Sequence, residues 1–307
     1  MGFDTSYHPI DRALVEERLL PYVRGEARAI DDLVAEAVRI GRVRFRANAW
    51  GLGALATRHE GIAPWLHVWG RPFFITVDGA AELGATIDRY LAARDEAAVD
   101  AIARDMLAVI DPALADRVSP STEGRLPDDA AAARGIRFRV DLMRAAWAAR
   151  SSGRPVTTPD GREFEARSLL GRELPFTLLE LQSHLRPGWM DRGLWPTALL
   201  EAAKVPAEVL GRWFVAPRLL VGDAIAREVD CFLHAGIVEN DMVGGRIEAP
   251  ATVGEVAGVL ERNLDRVGEE GRGSVRKMIE AMRDAERRGM PFCEATEIYS
   301  GFAGVMN

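Results

Sequence analysis

Ile30, Leu33, Val34, Ala37 and Val38 fall three and four residues apart, the spacing of one face of an α-helix. Asp31 and Asp32 sit where carboxylates favour the first turn, so a helix is predicted from about residue 30. Its polar side carries Arg39, Arg42, Arg44 and Arg46, which reads as a solvated face, with contact to an anion or an acidic partner as the functional alternative. Other stretches change period. In residues 2–8 the polar Asp4, Ser6 and His8 alternate with Phe3, Thr5 and Tyr7, as in a strand. A second alternation, residues 65–77, puts Trp65, His67 and Trp69 on one face and is interrupted by Gly70-Arg71-Pro72, which predicts a hairpin. A third small hairpin is expected across residues 156–165, where Pro159-Asp160-Gly161 is a strong turn signal.

Between these lie helical patterns. One begins near Asp11, and others pass through Ile87, Leu91, Val99, Ile102, Leu107 and Val109. Another runs to about Ala149 with Asp128 or Asp129 as its cap. Beyond Leu169 short helices are expected between Pro and Gly breaks, at residues 205–213, 221–235, 253–267 and 273–288. Strand and helix do not alternate regularly, so the predicted class is α+β, predominantly helical, with a small antiparallel sheet or hairpins. Residues 119–127 are polar and aperiodic. They are the candidate linker between an N-terminal α+β region, 1–118, and a mainly helical region, 128–307, unless the chain forms one continuous domain.

Composition narrows the function. Of 307 residues 48% are hydrophobic and 28% charged, a balance suited to a packed core. The net charge of −7 argues against a protein that grips nucleic acid. Lysine occurs only at Lys204 and Lys277 beside abundant Arg and Ala, a bias typical of GC-rich bacterial genomes that leaves few residues for lysine chemistry. Two cysteines, Cys231 and Cys293, give no disulfide framework and make a reducing compartment the default. No apolar run approaches the length of a membrane span and no export signal is evident, so a cytoplasmic location is expected.

Several motifs match in letters but not in context. Gly51-Leu52-Gly53-Ala54-Leu55-Ala56 resembles a dinucleotide fingerprint but follows a helix rather than a buried strand, and reads as close helix packing. Ser274-Val275-Arg276-Lys277 lacks the partner motifs of serine acyl enzymes, so Ser274 reads as a helix cap. Gly268, Gly271 and Gly273 have no Lys-Ser/Thr after them and read as a loop. His59-Glu60 is not followed by a second histidine, and the acidic Glu239, Asn240 and Asp241 read as a solvated turn.

Two assembled sites remain. Asp4 and His8 on one strand face, with Asp230 and His234 one helical turn apart, have the donors for a divalent metal such as zinc, iron or manganese. Trp65, His67 and Trp69 are candidates for a groove that takes a ligand or partner. Two functional readings follow. One is a binding or interaction protein recognising a protein partner or small molecule. The alternative is a hydrolase-type enzyme whose metal or His/carboxylate site is assembled from distant segments.

Overall fold

The computed structural model describes residues 4–68, 73–76, 83–122, 124–186, 188–192, 204, 218–229, 246–248 and 250–296. It is α+β and predominantly helical, as the periodicity predicts. The opening alternation becomes β1 (Asp4–Pro9), and the two hairpins form as β2 (Leu66–Val68) with β3 (Phe73–Ile75) and β4 (Val156–Thr157) with β5 (Glu163–Phe164). Gly161 turns the second hairpin at φ +82°, a backbone conformation for which glycine pays no steric penalty.

β1 is not an isolated strand. It pairs antiparallel with β6 (Trp189–Arg192) on one side and with β8 (Phe292–Thr296) on the other. β7 (Arg246–Glu248) completes a sheet of order β6-β1-β8-β7. None of these three partners is flagged by a strand pattern of its own, and they come from far along the chain. Alternation gives the sheet two different faces. Tyr7 stacks on Phe292 with ring centroids 6.1 Å apart and joins one core cluster, together with Val275, Met278 and Met282. Ile10 and Cys293 join a second cluster, with Leu170, Leu174 and Leu178.

The helices, in chain order, are α1 (Arg12–Leu14), α2 (Leu20–Val23), α3 (Asp31–Ala56), α4 (Leu83–Ala92), α5 (Glu96–Ile110) and α6 (Leu114–Arg117). After them come α7 (Asp129–Ala149), α8 (Ala166–Leu185), α9 (Arg218–Val221), α10 (Asp223–Glu228), α11 (Pro250–Arg262) and α12 (Glu269–Arg287). Asp11 caps α1 by accepting from the Leu14 amide, and Asp128 caps α7 by accepting from Ala131. Among the described residues no helix is long and apolar enough to cross a membrane.

α3 ties the molecule together. Its first half, Val34, Ala37 and Val38, lies in the second cluster; its second half, Val43, Ala47, Trp50 and Ala54, lies in the first. Both clusters draw residues from before and after the candidate linker. The linker itself is pinned, because the Ser121 amide donates to Ala49 O at 2.7 Å and the Ser119 backbone crosses Gly53.

Four expectations are corrected. The arginine run is not a uniform solvated face. Arg39, Arg42 and Arg46 pair with Glu36, Asp129 and Asp100, but Arg44 is only 2% exposed. Extending the apolar stripe by threes and fours, through Ala37, Gly41, Arg44, Ala47, Asn48 and Gly51, places Arg44 on the buried side. The chain after Leu169 is not a series of short helices, since α8 runs for 20 residues and holds Pro175 inside it. α12 starts at Glu269 with Gly268 as its cap, so Gly271 and Gly273 lie within the helix rather than in a loop, and Ser274 is not its cap. The helix expected at 221–235 is broken at Gly222, where φ is +78°, and resumes as α10; residues 230–235 and the helix expected at 205–213 lie outside the described residues.

Two glycines test the packing. A Cβ at Gly53 would lie 1.9 Å from Ser119 O, a backbone atom, whereas one at Gly135 on α7 meets nothing within 4 Å. Gly53→Ala is therefore expected to destabilise by about 1–3 kcal/mol through overpacking. Gly135→Ala is expected to stabilise by up to about 1 kcal/mol through helix propensity. Urea unfolding of the two variants checks both signs.

Candidate functional site

The second face of the sheet is polar where it meets α3 and α8. β1 contributes Ser6 and His8, 0% and 1% exposed; α3 contributes Arg44 and Asn48; α8 contributes Gln182 and Ser183. Burying such groups is unfavourable unless each finds a partner. Gln182 does so fully, accepting from the Asp11 amide at 2.8 Å and donating to Pro9 O at 2.9 Å, which fixes the end of α8 to the end of β1. His8 does not. Neither of its ring nitrogens has a hydrogen-bond partner among the described residues, and the same holds for the Ser183 hydroxyl.

The His8 ring is closely walled. Gly188 lies over it just before β6, where a Cβ would come 2.3 Å from His8 Nδ1 and 2.3 Å from Tyr7 O, so a side chain at 188 is excluded. His8 is directly opposite Cys293 in the β1–β8 ladder, which places imidazole and thiol side by side on one face, with Cβ atoms about 5 Å apart. Burial, and secondarily the charge of Arg44, push the His8 imidazole down to about 3. His184, near the end of α8, is pushed down to about 3 by the same two causes in the same order. Burial lowers Arg44 to about 9, which leaves it a cation at neutral pH. The field of Arg44 thus reaches two neutral imidazoles on separate elements.

His184 also faces outward. It lines a cleft between α7 and α8 with Arg139, Thr177 and Glu180, in which Arg139 Nε lies 3.2 Å from Glu180 Oε2. His184 therefore belongs both to this cleft and to the layer governed by Arg44. A neutral imidazole offers one donor and one acceptor, and a hydroxyl offers both. Each buried group left without a partner costs about 1–3 kcal/mol, which a suitably placed guest recovers.

The residues singled out from the sequence divide as follows. His8 is central to the layer. Asp4 is the first residue of β1, opposite Arg192. Asp230 and His234 lie outside the described residues, as do Trp69, Cys231 and the acidic turn at 239–241. Among the described residues no three His, Cys, Asp or Glu side chains form a group able to hold a metal ion. Trp65 precedes the strand, in a 3₁₀ turn (Ala63–Trp65), and packs partly buried against the first cluster; His67 is in β2 opposite Phe74. Ser183 and His184 were not anticipated, and Arg44 was named only within the arginine run, not as a buried residue. The stripe of α3 carried a signal for Arg44, whereas nothing local marks Ser183 or His184.

Comparison of the chain with family models, curated proteins and solved structures gives no match.

The depressed histidine makes stability depend on pH. Above about 6.5 His8 is neutral whether the chain is folded or not. Between 6.5 and about 3 the unfolded chain binds a proton that the folded chain does not, so stability is lost as pH falls. At about pH 5 His8 alone accounts for a loss of about 2 kcal/mol relative to neutral pH. His8→Gln is expected to remove that part of the decline in urea-unfolding free energy. An unchanged decline contradicts the assignment.

Proposed function

We propose that the protein is a small-molecule binding protein whose ligand occupies the polar layer between β1 and helices α3 and α8. One observation carries this reading: His8 is enclosed with both ring nitrogens lacking a partner among the described residues. A bound molecule that bonds to them, and to Ser183, supplies what the described residues do not.

Native mass spectrometry of the full chain tests it. A small adduct is expected that denaturation releases and that is absent from His8→Phe, a variant that fills the space without the nitrogens. Stripped wild type and His8→Phe are expected to be of similar stability, because removing an unsatisfied buried polar group costs little. Finding no adduct, together with no thermal shift from a library of small polar molecules, contradicts the reading.

A second reading, the hydrolase-type metal site of Asp4, His8, Asp230 and His234, draws on the same feature, since a neutral imidazole is the metal-ligating form. Elemental analysis of the same preparation separates the two. Stoichiometric zinc, iron or manganese that is lost in the Asp230→Ala, His234→Ala double variant supports the metal site and displaces the small-molecule reading.

A further inference from the structure

We propose that the groove between the C-terminal end of α3 and residues 119–122, after α6, binds a small amphiphilic carboxylate, an acid group carried on an apolar chain. The site shares no lining residue with the polar layer around His8 and does not depend on that layer holding a ligand.

The groove exists because two segments cross at a glycine. α3 ends at Ala56, and the chain after α6 runs over it at Gly53, where the Ser119 carbonyl would meet any side chain. Val118, buried in the first cluster, anchors that segment at one end. The Ser121 amide, donating to Ala49 O at 2.7 Å, anchors it at the other. Both walls are thus fixed before a ligand arrives, which keeps the ordering cost of binding low. The space between them is about 540 Å³, within the range of about 300–1,000 Å³ that small-molecule sites occupy.

The lining has an apolar part and a charged part. Leu52, Leu55, Ala56 and Pro120 make the apolar part. Leu55 is 50% exposed, although the other face of the same helix builds both clusters. An apolar chain laid over it takes that surface out of water. Arg117 is the only charged residue in the lining. It is exposed and has no carboxylate partner among the described residues. Its planar fork matches the two oxygens of a carboxylate, and one guanidinium balances one negative charge. Ser119 and Thr122 add exposed hydroxyls to the same lining. The C-terminal end of α3 opposes an anion, but only with about half an elementary charge. Thr57 offsets part of that, since its amide and its hydroxyl both donate to Ala54 O. The full charge of Arg117 prevails.

Amide spectra of the ¹⁵N-labelled full chain, titrated at constant ionic strength with three probes, test the proposal. Octanoate carries both parts of the ligand, acetate only the charge and octanol only the chain. Octanoate is expected to bind saturably and to shift the amides of Leu55, Thr57, Ser119 and Ser121. Octanol is expected to bind at least about threefold more weakly, the scale of an exposed charge pair. Acetate is expected to bind at least about tenfold more weakly, because it covers almost no apolar surface. Arg117→Gln is expected to weaken octanoate about threefold to fivefold, and Leu55→Ser by a similar factor. Arg134→Gln, exposed on α7, is expected to leave it unchanged. The comparison of probes on wild type stands without any variant.

Equal binding of octanol and octanoate, or no effect of Arg117→Gln, overturns the carboxylate. Equal binding of acetate and octanoate overturns the apolar chain. No saturable binding of octanoate overturns the site. Shifts confined to Ser6, His8 and Ser183 also overturn it, and leave the reading of the polar layer standing.

Discussion

A guanidinium and an imidazole do not leave water cheaply, yet Arg44 on α3 and His8 on β1 are both buried, with His184 on α8 half-buried. Arg44 is inside because it occupies the stripe of α3 that also carries Ala37, Gly41, Ala47 and Gly51. On the opposite side of the same helix Gly53 lets the Ser119 backbone cross closely. The same helix spans both apolar clusters, so its position is over-determined and the charged side chain has no freedom to turn outward. The sheet then divides the labour between its faces. Tyr7 and Phe292 seal one side with stacked rings, and Ser6, His8 and Cys293 meet the polar layer on the other.

Two features keep this layer from collapsing into an ordinary core. Gln182 spends its amide on the backbone at Pro9 and Asp11, which holds the end of α8 against β1 without consuming the imidazole of His8. Gly188 brings the approach to β6 over the ring while contributing no side chain. Among the described residues His8 is thereby walled but not bonded, a combination that favours a guest with donors and acceptors of its own. The paired residues around it are of a different kind. Asp100 takes two bonds from Arg46, at 2.6 and 2.8 Å, and one from the Trp50 indole at 2.7 Å, which satisfies the polar groups beside the first cluster.

Elements with a strong local signal were legible in the sequence. The alternation of β1, the turn at Gly161, the cap at Asp128 and the end of α7 at Ala149 each follow from a few adjacent residues. The partners of β1 were not, because a strand of three to five residues has too little alternation to stand out, and its pairing is set by residues nearly 300 positions away. α8 was hidden by Pro175, a residue that breaks isolated helices but is itself buried here, as are most residues of the helix. The site shows the same division. His8 was legible through its strand face, and Arg44 was recoverable by continuing the apolar stripe of α3. Ser183 and His184 acquire meaning only when α8 is laid against β1.

His8 is held neutral inside the protein, with no hydrogen-bond partner for its ring among the described residues. Exchange of the histidine C2 hydrogen, followed by peptide mass spectrometry across a pH series, reads both its protonation and its access to solvent. Exchange at His8 is expected to be very slow, with no inflection at ordinary histidine pH and protonation only near 3. Rapid exchange with an inflection near 6.5 would show a solvated, titrating imidazole and would contradict the account.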